Sequence, residues 1–306
     1  RLMGTMTIKM GVLGLSVGNG HPYSWSAIFN GYNPEAMELC GFPVIPRYLE
    51  QQQWPESRIQ GAEVVAVWTQ DETLSQKVAK AAKITKVVSS PEDMIGDVDA
   101  VLLARDDAEN HLELAAPFLK AGLPVYIDKP IALSIAGLNK LYELEQYPGQ
   151  IFTCSALRYS HELKLSQEDR QGIGEIREII AFTPKSWNKY AVHIIEPVLS
   201  MLPEFDGPVS FSGGGLNRFP EDTAGSLLVN WQSGVQTAFF ATGDGVSPIS
   251  IRIVGTKGFK DLFFSDSFSA FKSALEAFLE GVRNQTVASP KSFNTSVVQL
   301  LERGAS

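Results

Sequence analysis

Val98-Asp-Ala-Val-Leu-Leu-Ala-Arg105, a polar turn, His111-Leu-Glu-Leu-Ala-Ala-Pro-Phe-Leu-Lys-Ala-Gly122 and Leu123-Pro-Val-Tyr-Ile-Asp-Lys-Pro130 read as strand, helix and strand. Residues 99–104 are nearly all apolar, the mark of a parallel strand buried on both faces. Residues 109–121 carry apolar side chains at helical spacing, and Gly122 supplies a stop signal. The second strand closes on the charged pair Asp128-Lys129. Pro130 then ends the ladder, because it has no N–H to donate. In a doubly wound sheet, ligands bind in the crevice beyond the carboxyl ends of the strands. Asp128 and Lys129 are therefore predicted to project into such a crevice.

Upstream of this unit, residues 8–15 read as a first buried strand, followed by the glycine-dense turn Ser16-Val-Gly-Asn-Gly20. A short helix at 22–31 has Pro22 in its first turn. Residues 32–60 hold four prolines and are read as an insertion with at most one helix, near 46–53. Residues 63–68 are a second strand, 72–83 a helix and 86–89 a short strand. Downstream, Ser134 caps a helix to about 146, and 150–156 reads as a sixth strand. Alternating strand and helix over this length predicts an α/β class, a Rossmann-type doubly wound parallel sheet. The rhythm then changes. Residues 175–184 are strand-like and 187–202 helical. Residues 208–216, 223–231, 235–242 and 249–254 are strands in series, and 267–283 and 292–303 are helices. Serial strands with tight turns predict an α+β domain with an open, mostly antiparallel sheet. The expected division is 1–156, with the insertion at 32–60, and 157–306.

The 306 residues suffice for two domains. A hydrophobic content of 44% and a charged content of 20% are ordinary for a globular chain. The formal net charge of -8 argues against nucleic-acid and anionic-membrane partners, which need a basic face. Cys40 and Cys154 cannot build a disulfide framework, and neither has metal-ligand spacing to a histidine, so no metal is expected. No run reaches membrane-spanning length and no secretory signal is visible. A cytoplasmic protein is expected, starting at Met6, with residues 1–5 outside the fold reasoning.

Taken in order, several stretches resemble the glucose–fructose oxidoreductase / inositol dehydrogenase (Gfo/Idh/MocA) family. They are Val98-Asp-Ala-Val-Leu-Leu-Ala with His111, and Ala121-Gly-Leu-Pro-Val-Tyr-Ile-Asp-Lys-Pro130, where that family usually has Glu-Lys-Pro. Arg158, His193 in a helix and Ile253-Val-Gly-Thr-Lys-Gly258 also match. The resemblance implies a nicotinamide cofactor, NAD or NADP. It also implies hydride transfer on a small sugar-like substrate, and homo-oligomers, a homodimer or homotetramer, packed sheet to sheet. A second reading is a family member that has lost catalysis and serves as a ligand sensor or partner protein.

A dinucleotide turn places glycines at positions one, three and six. Counted from Gly14, those positions are Gly14, Ser16 and Asn19; Gly18 and Gly20 are out of register. The Ser16 hydroxyl could donate to a phosphate. The second strand ends at Trp68-Thr69-Gln70 with no carboxylate at its tip, Asp71 being two residues late. The cofactor-binding set is Gly14, Ser16, Val17, Thr69, Ala104, Arg105, His111 and Asp128. For His111, a helix-start residue bonding backbone is the plain alternative.

Lys129 is the candidate that holds a substrate hydroxyl and stabilises alkoxide character as hydride leaves. A cis Lys129–Pro130 bond would fix its direction. In the family, an Asp precedes the helical His by four residues; here Lys189 stands there, a predicted neighbour of His193 one helical turn away. A nearby cation favours the neutral imidazole, suited to a base. Glu196 could orient the ring, and Tyr190 is a substitute proton donor. The catalytic set is thus Lys129, His193 and Tyr190. The substrate set is Arg158, Trp187 and Lys189, with Trp187 stacking on a sugar ring and Arg158 binding substrate or forming a salt bridge between domains.

Overall fold

The computed structural model describes residues 6–214 and 223–306. Residues 215–216 of the strand predicted at 208–216 lie outside them. Two compact units are formed, neither continuous in sequence. Arg1–Ala132, Ala136–Thr153 and Phe271–Lys291 make the first; Leu133–Ile135, Cys154–Ala270 and Ser292–Ser306 make the second. The expected boundary at 156/157 falls near the switch at Thr153–Cys154, but residues 271–291 return to the first unit.

In the first unit, β1 (Ile8–Leu13) is followed by α1 (His21–Asn30), α2 (Pro34–Glu38) and α3 (Val44–Glu50). The insertion therefore carries two short helices rather than one. Asn33 supplies the cap that sequence periodicity missed, accepting from the Ala36 N–H at 3.1 Å. Then come β2 (Ala62–Trp68), α4 (Glu72–Ala81), β3 (Lys86–Val87), β4 (Ala100–Leu103), α5 (His111–Lys120), β5 (Val125–Ile127), α6 (Ile135–Tyr142) and β6 (Ile151–Phe152). The strands pair in the order β3-β2-β1-β4-β5-β6, all in parallel. β4 is buried along its whole length, as its apolar run requires. This order reverses direction at β1 and β4, which sets the crevice at their carboxyl ends.

The insertion packs into this unit. A Cβ on Gly20 would overlap Phe42 and Ile45, so glycine there lets the insertion close on the turn after β1. The Arg58 Nε–H donates to the Phe29 carbonyl at 2.7 Å, and Tyr48 meets Phe271.

The second unit contains α7 (Gln167–Ile173), β7 (Ile176–Thr183), α8 (Trp187–Tyr190), α9 (Val192–Leu199), β8 (Pro208–Gly213), β9 (Gly225–Trp231), β10 (Gln236–Ala241), β11 (Ser250–Gly255) and β12 (Phe259–Phe263). α10 (Ser267–Asn284) and α11 (Lys291–Ala305) complete the chain. Sheet order is β12-β11-β7-β10-β9-β8, antiparallel except where β7 meets β10. β12 is a strand that the sequence reading missed: it alternates Phe259, Asp261 and Phe263 on one face, a pattern short enough to pass for a loop. α9 and α11 cover one face, closing a core around Ile179, Trp187, Ile195, Phe239 and Leu301.

Candidate functional site

The turn after β1 begins at Gly14, where a Cβ would overlap the Pro22 ring; only glycine lets the chain double back onto α1 here. Gly18 has φ +78° with open space beside it, and Val17 is exposed. Among the described residues, the N–H groups of Val17 and Gly18 donate to no protein atom. They are free to receive a phosphate. The rest of the turn is tied internally. The Gln70 side chain clamps Leu15, accepting from its N–H at 2.8 Å and donating to its carbonyl at 2.7 Å. Asn19 Nδ2 donates to Asp128 at 2.8 Å.

Several cofactor candidates are differently employed. The Ser16 hydroxyl donates to Asp106 Oδ1 at 2.8 Å, so it is not presented to a phosphate. Thr69 is buried, its hydroxyl donating to the Asp71 carbonyl at 2.6 Å. Asp71 caps α4 through the Thr73 N–H, which is why no carboxylate guards the end of β2. Ala104 continues the ladder, its N–H donating to Leu13. The Arg105 guanidinium grips Asp107 with two bonds, 3.0 and 2.6 Å, and reaches the Gly14 carbonyl and Gln70. It braces the turn. His111 is fully buried, with Nδ1 on the Ile131 carbonyl at 2.9 Å and Nε2 on the Arg105 carbonyl. Both nitrogens are spent on backbone, so the expected cofactor contact is corrected to the structural alternative.

Beyond β5 the structure builds a compact network. Asp128 is 1% exposed. Its Oδ2 accepts from Asn19 Nδ2 and lies 2.7 Å from His21 Nδ1; its Oδ1 accepts from the Lys129 N–H at 2.8 Å. Burial alone would raise the Asp128 carboxyl. The charge and hydrogen bond of His21, the charge of Lys129 and the Asn19 bond outweigh it and hold the group below the usual carboxylate range. Lys129 is largely buried, and Lys129–Pro130 is cis. His21 stacks on Trp25 at 4.7 Å and meets Phe271 edge-on. His21, Asn19 and Gln70 were not singled out from sequence. The signal available was only positional: Asn19 and His21 are polar residues at the first turn of the helix after β1, and Gln70 follows the end of β2.

In the second unit, His193 Nδ1 lies 2.7 Å from the Ser155 hydroxyl, and its ring meets Tyr190 edge-on at 5.2 Å. Ser155 was also missed; nothing in the sequence ties it to a residue 38 positions on. Glu196 sits in the same hydrogen-bond chain as the imidazole. It accepts from Arg158 Nε at 2.7 Å and from the Ser155 N–H at 2.8 Å, and Ser155 in turn meets His193 Nδ1. Arg158 also donates to Asn294 and lies over Phe293. The substrate role expected for Arg158 is therefore corrected: its guanidinium is committed to a buried ion pair within this unit. Burial would lower Arg158, but the Glu196 charge more than offsets it. Trp187 is likewise corrected. It is fully buried, its Nε1–H donates to the Leu301 carbonyl at 2.9 Å, and its ring fills the space left by Gly304, where a sugar cannot stack on it. The Tyr190 hydroxyl accepts from Lys185 Nζ at 3.0 Å. Lys189 is half-buried on α8, its N–H bonded to the Ser186 hydroxyl. The predicted single helix is interrupted at Ala191.

A separate cavity of about 840 Å³ in the first unit is lined by Asp99, Pro124, Phe152, Phe278 and Val282. It lies toward the amino ends of β4 and β5, away from the strand ends that carry Asp128. Its size says nothing about the chemistry there. Among the described residues no group of three or more His, Cys, Asp or Glu side chains is placed to hold a metal ion, and no helix is long and apolar enough to cross a membrane.

Residues 40–155 match the Gfo/Idh/MocA family model, described as "Oxidoreductase family, NAD-binding Rossmann fold". An inositol 2-dehydrogenase of Acidothermus cellulolyticus is 34% identical over 96 residues, 31% of this chain and 28% of that protein. A putative UDP-kanosamine synthase oxidoreductase subunit of Amycolatopsis mediterranei is 28% identical over 117 residues, 38% of this chain and 32% of that one. These alignments span about a third or less of the curated relatives. Solved structures share the fold almost end to end. Myo-inositol dehydrogenase of Lactobacillus casei, in complex with NAD(H) and myo-inositol, superposes with a TM-score of 0.72 at 15% identity, covering 98% of this chain and 94% of that one. UDP-N-acetylglucosamine 3-dehydrogenase of Acidithiobacillus ferrooxidans gives 0.69 at 15% identity, covering 97% and 96%.

Proposed function

We propose that the protein is an NAD(P)-dependent oxidoreductase that moves a hydride between nicotinamide and a secondary alcohol or ketone of a polyol, sugar or sugar derivative. The observation that carries this reading is Lys129, seated past β5 beside an ionised, buried Asp128 at the carboxyl edge of a parallel sheet. The turn at Gly14 fits a dinucleotide in part. The Val17 and Gly18 N–H groups would take the pyrophosphate, while that of Leu15 is held by Gln70. When bound, the cofactor would supply the hydride acceptor or donor. Lys129 would hold the reacting oxygen and stabilise its developing negative charge. His193, its Nδ1 fixed by Ser155, would exchange the proton, with Tyr190 beside it. Inositol relatives make cyclic polyols the first substrates to try.

The test is turnover of NAD⁺ and NADP⁺ with myo- and scyllo-inositol and a panel of sugars and sugar nucleotides. Lys129→Ala should lower kcat/KM by about a hundredfold or more, the scale of losing one stabilising donor. A loss of only a few-fold would remove Lys129 from this role. The second reading, a non-catalytic ligand sensor, is favoured by the Gln70 clamp and by Ser16 bound to Asp106. It predicts no hydride exchange on any substrate, whether or not tryptophan quenching reports cofactor binding.

Association into a homodimer or homotetramer is supported by the second sheet. There Phe263 and Phe182 both pair with Ser250, Phe240 stacks on Phe182, and Phe182, Phe259 and Phe263 are exposed. A cytoplasmic location accords with two free cysteines.

A further inference from the structure

The Asp128 carboxylate joins two parts of the first unit that are 107 or more residues apart in sequence. One oxygen holds the glycine turn and helix start through Asn19 Nδ2 and His21 Nδ1; the other holds the N–H of Lys129. Asn19 is itself fixed, its Oδ1 accepting from the His21 N–H at 2.9 Å. His21 cannot swing freely, because its ring is stacked on Trp25 and edged by Phe271. Its side chain is 18% exposed, and among the described residues its Nε2 has no hydrogen-bond partner. All polar contact made by the ring is therefore directed to Asp128.

We propose that His21 is a positioning residue. Through Asp128 it locks the main chain of Lys129 to the turn that would hold the cofactor, so that the pyrophosphate site and the reacting amine keep one register. This deepens the dehydrogenase reading and rests on it for its kinetic part. Without His21 the carboxylate would keep only the Asn19 bond on Oδ2, gain freedom about its Cα–Cβ and Cβ–Cγ bonds, and hold the Lys129 N–H less firmly through its charge-assisted bond. Productive geometry must hold within about half an ångström, so a loosened lysine lowers the rate more than the affinity.

Three variants separate this role from others. His21→Asn restores a donor where Nδ1 stands; His21→Gln places its amide where Nε2 stands; His21→Ala removes both. In the cofactor-free protein, nitrogen-15 NMR hydrogen exchange at the Lys129 amide should speed up about tenfold in His21→Ala, as expected for a loosened hydrogen bond. It should return toward wild type in His21→Asn and not in His21→Gln. With an identified substrate, His21→Ala should lose about 10- to 100-fold in kcat, with substrate KM within about threefold, and His21→Asn should recover most of it. Unchanged Lys129 exchange in His21→Ala overturns the proposal. So does rescue by Gln but not Asn, which would assign the role to Nε2. If His21→Ala does not fold, the Asn–Gln pair decides alone. If wild type turns over no substrate, the dehydrogenase reading fails while the exchange measurement still decides the strut.

Discussion

Asp128 and Glu196 are both buried carboxylates, one in each unit, and each accepts from a main-chain N–H and from a nitrogen of a basic side chain. The partners differ. Glu196 faces Arg158, whose guanidinium is charged at any working pH, is nearly as buried, and is further held by Asn294. Asp128 faces His21 and Asn19, an imidazole that is charged only when protonated and a neutral amide. A permanent pair closed off from solvent holds a structure together. A carboxylate served by neutral or switchable donors, with a lysine next in sequence, can respond to what binds beside it. By this contrast Glu196 belongs to the scaffold under His193, and Asp128 to the site of the proposed chemistry.

The largest expected effect breaks the scaffold side. Glu196→Ala leaves the Arg158 guanidinium buried without its counter-ion and should destabilise the fold by about 3–5 kcal/mol, read from the denaturation midpoint. It also frees the Ser155 N–H, so His193 should lose its fixed Ser155 contact. A cost under about 1 kcal/mol would mean that the pair is solvated, and the contrast with Asp128 would fail.

Asp128→Asn should cost less, about 1–3 kcal/mol for hydrogen bonds weakened at a buried group, and the cost should depend on pH. The folded carboxyl titrates below its unfolded value. Its stabilising contribution is thus complete above the unfolded value, roughly 4, and is lost as pH falls through the folded one. The gap in melting temperature between wild type and Asp128→Asn should be widest near neutrality and should close in acid. A gap that widens in acid would reverse the assigned direction. Turnover of the variant at neutral pH should fall further than its modest loss of stability explains.

The same contrast explains what the sequence could tell. The parallel sheet was legible because buried parallel strands are written as unbroken apolar runs, and Val101–Leu103 is one. Asp128-Lys129 was legible because a charged pair at the end of such a run has one place to go. Arg158, Trp187 and His111 were polar or amphipathic residues near the right elements, yet the fold uses all three internally. Their partners, Glu196, the Leu301 carbonyl and the Ile131 carbonyl, lie 20 to 114 residues away in sequence. No local period encodes such pairings. His21 was missed for the same reason in reverse: its role is fixed by a residue 107 positions later.

The smallest effect concerns a contact that is neither buried nor charged. Gln70 is exposed, and its amide occupies both the N–H and the carbonyl of Leu15. Gln70→Ala should hardly change stability, because water can replace both bonds. It would, however, release one more N–H at the turn where an anion is expected, beside those of Val17 and Gly18. If the cofactor's pyrophosphate sits there, the variant should bind NADH or NADPH about three- to tenfold more tightly, the worth of roughly one net hydrogen bond. Unchanged or weaker binding would mean that the Gln70 amide itself serves the cofactor. The turn would then be complete as built, and the sensor reading would lose one of the two observations that favour it.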